Sequence, residues 1–198
     1  MHSSGESKTR AKWVKLGGFI ACLILLGSVG LFAQRRNYDR DRDRDQGGTP
    51  SNAGGNWTVF QSEDRMTAEH RTRLELQADN AGDGDDRARV ILYCTDHKLK
   101  LADFHPSMRL SRPNWMGWSG PQMRVRVRVD DAHDDHNWNW VNGHFLSMDK
   151  GTAREMIGAH LFRIEFRTPD GPRIAEFSPA GLDLRLAHDA CGLNPKKP

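Results

Sequence analysis

The sequence is poor in cysteine, with three in 198 residues, and its mean hydropathy of −0.72 leaves little apolar surplus. Three thiols exclude a disulfide-dense miniprotein, and the hydropathy excludes a polytopic membrane protein. Catalytic signatures are missing as well. No G-x-S-x-G frame surrounds Ser119, no H-E-x-x-H spacing occurs, and neither a phosphate-cradling glycine loop nor a dinucleotide fingerprint is present. An enzyme is therefore disfavoured, and no cofactor is expected. Net charge is small, +3 from 29 basic and 26 acidic side chains. Residues 1–34 hold Lys8, Arg10, Lys12 and Lys15 against Glu6, and residues 35–56 hold five Arg against four Asp. Residues 57–198 keep 20 basic and 21 acidic groups. A region so close to neutral argues against a nucleic-acid partner.

One long apolar run is present. Leu16 to Gln34, LGGFIACLILLGSVGLFAQ, carries no charge and follows a basic tail over 1–15. As a helix it rises roughly 28 Å, about one hydrocarbon thickness. A cleaved leader would want a smaller residue than Leu31 two positions before Ala33, and the mostly apolar stretch after Cys22 argues against lipidation there. The expectation is a single-pass transmembrane signal-anchor over 16–34. Its short tail stays in the cytoplasm and the remainder enters the periplasm. Residues 35–56, RRNYDRDRDRDQGGTPSNAGGN, read as a disordered linker reaching roughly 25 Å from the membrane. Beyond it lie two cysteines, Cys94 and Cys191. A pair in an exported domain suggests one disulfide, with two unrelated buried thiols as the alternative.

Residues 57–193 read as one β-rich domain, a β-sandwich or rolled antiparallel sheet of seven or eight strands, with 194–198 as a tail. Thr72, Leu74, Leu76 and Ala78 alternate with polar neighbours, and Asn80 to Asp86 is a turn. RVILYC, Arg89 to Cys94, is apolar enough for a central strand covered on both faces. Met123, Val125, Val127 and Val129 alternate with Arg124, Arg126 and Arg128. Asn142-Gly143 predicts a two-residue hairpin, and Thr152 with Glu155 a capping box opening a short helix. Phe162, Ile164 and Phe166 mark another strand, and RIAEF a further one after the Pro169–Pro172 turn. A final helix is predicted with Ser178 as N-cap, Pro179 as its first residue and Gly192 as its C-terminal cap, packed on the sheet.

Three features carry candidate chemistry. His133 and His136 lie among Asp130, Asp131, Asp134 and Asp135 in what reads as a solvated polar loop; a metal-dependent hydrolase there is the least favoured reading. The Arg124, Arg126, Arg128 stripe could face an anionic polymer, although cross-strand carboxylates more often neutralise such a row. Trp115 and Trp118, in NWMGWSGP, could stack on sugars or on a protein, whereas Trp138 and Trp140 share one strand face and suit the core. Those five, Trp115, Trp118, Arg124, Arg126 and Arg128, form the candidate ligand or partner surface.

The order of motifs resembles a family. Trp57 is followed by Asp64-Arg65-Met66-Thr67, then by the LELQA strand, ILYC with Cys94, a strand ending V-R-V-D at Asp130, and Trp138. An S-P-A-G-L helix then closes in Ala190-Cys191-Gly192. This is similar to the VasI or TagO-like envelope proteins associated with bacterial type VI secretion. The resemblance implies export, a Cys94 to Cys191 pairing and a non-catalytic accessory role with an envelope protein partner. A peptidoglycan-binding module is the alternative.

Overall fold

The computed structural model describes residues 48–80, 87–117 and 120–194. The predicted anchor, most of the linker, the turn after Asn80, Trp118 and the extreme C-terminus lie outside the described residues. Among those described, no helix is long and apolar enough to cross a membrane.

Among the described residues, eleven strands and two helices succeed one another. They are β1 (Thr49–Gly54), β2 (Trp57–Glu63), β3 (His70–Gln77), β4 (Arg89–Thr95), β5 (Lys98–His105), β6 (Trp115–Gly117), β7 (Gly120–Val129), β8 (Ala132–Val141) and β9 (Phe145–Met148), followed by helix α1 (Lys150–Met156), β10 (Phe162–Thr168), β11 (Gly171–Phe177) and helix α2 (Leu184–Cys191). Pairing is antiparallel throughout, in the order β1-β2-β3-β4-β5-β9-β8-β7-β10-β11, with short β6 beside β7. The first five strands form a meander. The chain then passes to β7, returns through β8 and β9, and β9 joins β5 by three residue pairs.

The sheet curls on itself. Phe104 of β5 and Phe166 of β10 stand four strands apart in the order, about 19 Å in a flat sheet. Their ring centroids lie 5.1 Å apart, and Phe104 also meets Phe177 of β11 edge-on at 6.3 Å. One apolar core therefore fills the space between the two halves, built on Trp57, Leu74, Leu92, Phe104, Trp138 and Phe162, all nearly inaccessible. Period-two alternation feeds it: Met123, Val125 and Val127 are buried while the arginines between them are exposed. In β4, Val90, Leu92 and Cys94 face this core and Ile91 is buried on the opposite side, so the central strand is covered on both faces there.

Several expectations need correction. The linker does not extend to residue 56, because Thr49–Gly54 pairs with β2 as an edge strand. Its composition is that of a flexible tether, and its order comes from the backbone ladder and from Ala53, whose carbonyl accepts the Asp183 N–H at 2.8 Å. An edge position also tolerates Pro50. The His and Asp cluster is not a loop. His133 to His136 belong to β8, paired residue for residue with β7, and only Asp130 and Asp131 turn the chain. The hairpin at Asn142-Gly143 has three connecting residues, since Val141 pairs with Phe145.

Helix α1 starts earlier than the capping box placed it. Asp149 is the N-cap and accepts the Thr152 N–H, while the Thr152 hydroxyl donates to Asp149. Helix α2 starts later, at Leu184, because the two residues expected to open it, Ser178 as cap and Pro179 as first residue, are otherwise engaged. Ser178 gives its hydroxyl to Asp79, and the Pro179 carbonyl accepts the buried Trp57 indole N–H. Gly181, with φ +94°, packs so closely on Gly54 that a Cβ at Gly54 would lie 2.0 Å from its carbonyl oxygen. Asp183 then caps the helix by accepting from Arg185 and Leu186. At the far end Gly192 takes the left-handed conformation at φ 62°, as expected of a C-terminal cap.

The last helical residue is covalently held. Cys94 and Cys191 form a disulfide with Cα atoms 5.1 Å apart, both sulfurs buried between β4 and α2. The link spans 97 residues of sequence, and the chain-entropy argument assigns such a closure about 4 to 5 kcal/mol.

Candidate ligand face

The outward side of β8, β7, β10 and β11 carries the arginine stripe. Strand register fixes three rows across it. One runs His133, Arg128, Arg163, Glu176; the next runs Asp135, Arg126, Glu165, Ile174; Asn137 stands opposite Arg124 in the third. The arginine stripe is solvent-facing, with side-chain exposures of 63% for Arg124, 60% for Arg126 and 45% for Arg128.

Cross-strand carboxylates take up two of the three. Arg124 donates to Asp135 at 2.7 Å, and Arg126 sits 3.2 Å from Glu165 and 3.7 Å from Asp135. The Arg124 hydrogen bond holds the Asp135 carboxyl below the ordinary Asp range against a smaller opposing effect of desolvation; the charges of Arg124, Arg126 and His133 add to the lowering. Arg128 differs. Its Nε donates to the Asp130 carbonyl at 2.6 Å, and its nearest carboxylate is Asp131 at 3.7 Å, fully exposed at the turn.

On the core side of the same strands a second polar node forms around Asp149. Its Oδ2 accepts the Trp138 indole N–H at 3.1 Å and the Thr152 hydroxyl at 2.8 Å, and His136 Nδ1 lies 3.2 Å away. Burial pushes the Asp149 carboxyl up, but the hydrogen bonds from Thr152 and Trp138 and the charge of His136 outweigh it, and the net shift is downward. Trp138 is buried and Trp140 packs against the core while donating to the Ser111 carbonyl. His133 and His136, three residues apart on one strand, fall on opposite faces of the sheet and do not converge on one ion. Among the described residues no group of three His, Cys, Asp or Glu side chains is placed to hold a metal.

Trp115 falls in β6, where it pairs with Gln122 at the start of β7, so its backbone neighbours the arginine strand; Trp118 lies outside the described residues. The structure adds Arg163, His133 and Ile174 to the face. Arg163-Ile164-Glu165-Phe166-Arg167 alternates as clearly as β7 does, and that pattern marks Arg163 and Glu165 as outward. Their meeting with Arg128 and Arg126 depends on β10 lying beside β7, which no local pattern encodes. Comparison with known proteins finds no matching family model, curated protein or solved structure.

Proposed function

We propose that this chain is a membrane-anchored periplasmic accessory protein of the bacterial envelope, non-catalytic, of the kind that serves type VI secretion, with the arginine face as its contact surface for an envelope protein. The observation that carries the reading is the buried Cys94–Cys191 disulfide. A bond joining the central strand to the terminal helix supports an oxidising compartment, because cytosolic reductants keep such thiols apart. The span over 16–34 supplies the anchor and the Arg-Asp stretch the tether. A reporter active only in the periplasm, fused after Pro198, is expected to be active; an inactive fusion overturns the export assignment.

The second reading is a peptidoglycan-binding module that uses Trp115, Trp118 and the arginine stripe. The placement of β6 beside β7 favours it, by bringing the Trp115 backbone next to the arginine strand. Sedimentation of the full chain with purified peptidoglycan separates the two readings. Retention that Trp118→Ala abolishes supports glycan binding, and no retention removes it.

A further inference from the structure

Arg128 and Arg163 stand directly opposite one another on β7 and β10, with His133 flanking Arg128 on β8. Like charges in directly paired positions of an antiparallel sheet repel, so this register costs stability where a carboxylate would have gained it. The neighbouring row shows the compensated arrangement, with Asp135 and Glu165 on either side of Arg126. In the Arg128–Arg163 row the only acid is Glu176, at the outer end, and it accepts Arg163 Nε at 2.7 Å. Arg128 Nε is given to the Asp130 carbonyl. Neither guanidinium makes another hydrogen bond among the described residues; Arg128 Nη2 has only the fully exposed Asp131 carboxylate 3.7 Å away, beyond hydrogen-bond length, so the terminal nitrogens of both can donate. They line a depression of about 430 Å³ together with Arg126, His133, the carboxylates of Asp131 and Glu165, and Ile174, an apolar side chain 54% exposed.

We infer that this depression is a binding site for a phosphate group. Each guanidinium is a planar fork that seeks two acceptor oxygens. A carboxylate has two oxygens in all and satisfies one fork. A phosphate monoester presents three terminal oxygens and two charges, enough to bridge both forks and cancel the repulsion built into the register. Ile174 gives an apolar substituent on that phosphate a surface to cover. The assignment rests on reading the arginine face as a contact surface, but not on export or on a secretion partner.

The test uses the isotope-labelled full chain in neutral detergent, titrated with inorganic phosphate at constant ionic strength while the arginine Nε–H resonances are followed. Saturable shifts at Arg128 and Arg163 are expected. Arg128→Gln and Arg163→Gln should each weaken binding about tenfold or more, with Arg154→Gln, exposed on helix α1 and away from the depression, leaving it unchanged. If loss of the Glu176 ion pair unfolds the Arg163 variant, Arg163→Gln with Glu176→Gln removes both partners and should still lose phosphate. Absence of saturable shifts, equal shifts with acetate, or binding that survives both arginine substitutions overturns the site, whatever the reporter fusion shows. Dihexanoyl phosphatidate in place of inorganic phosphate identifies the source. Tighter binding that Ile174→Ser reverses points to a lipid phosphate, and equal binding to a soluble one; both outcomes sustain the phosphate site.

Discussion

Two arginine clusters sit on outward sides of the same sheet and behave differently. In β3 and β4, Arg73 and Glu75 are paired at 3.0 Å with side-chain exposures of 13% and 10%, and Arg89 approaches Glu75 at 3.7 Å. The Arg73 guanidinium also lies 4.0 Å above the Phe60 ring. In β7 the arginines are several-fold more exposed than Arg73, and one of them faces another arginine. The first cluster is spent on holding strands together, while the second keeps donors available to something outside the chain. Residue type alone does not separate the two; desolvation and cross-strand partners do.

The contrast can be broken from either side. Glu75→Gln should cost most, about 3 to 5 kcal/mol in urea unfolding, because it strands arginine charge in a desolvated site. A loss under 1 kcal/mol would show that cluster to be as weakly coupled as the exposed one. Next comes the covalent link in the same half: the double substitution Cys94→Ser with Cys191→Ser should cost about 2 to 5 kcal/mol, read as a lower urea midpoint that added reductant leaves unchanged. In the arginine half, Asp149→Ala removes a helix cap and the acceptor of a buried indole. A loss of about 1 to 2 kcal/mol is expected, with a changed Trp138 emission as its local signature. Smallest is Arg126→Gln, under about 1 kcal/mol, as for other exposed ion pairs.

Acid should expose the same asymmetry. Asp135 and Asp149 are both held below the ordinary Asp value in the folded protein. Their contribution is complete above the unfolded-state pKa of about 3.9 and is lost as pH falls through the lower folded values. Asp149→Asn should therefore flatten the decline in melting temperature below about pH 4. An unchanged slope would remove Asp149 from the acid response.

How much of this was legible in the sequence varies by element. The strands at Arg89–Cys94, Met123–Val129 and Phe162–Phe166 were readable because one or both of their faces enter the core, which imprints apolar periodicity. Strand β1 was not, since Thr49–Asn52 is exposed and its pairing with β2 is a backbone ladder that leaves no apolar imprint. The start of β8 escaped for a related reason: His133, Asp134 and Asp135 are exposed on a stretch where both faces are polar. Of the candidate face, the β7 stripe was visible, whereas its pairing with Arg163 and Glu165 is a property of strand order.

The two ends of the sheet are also unequal. The free edge of β11 lacks an N–H at Pro172 and is occupied further on, where Asp79 N–H meets the Glu176 carbonyl and the Asn80 amide bonds both Ile174 and Glu176. Among the described residues, edge β1 carries no comparable cover over Thr49–Asn52. Head-to-tail stacking of copies needs both edges, and one is closed. Between these two edges a head-to-tail contact is disfavoured, and β1 against β1 is a two-fold arrangement that terminates at a pair.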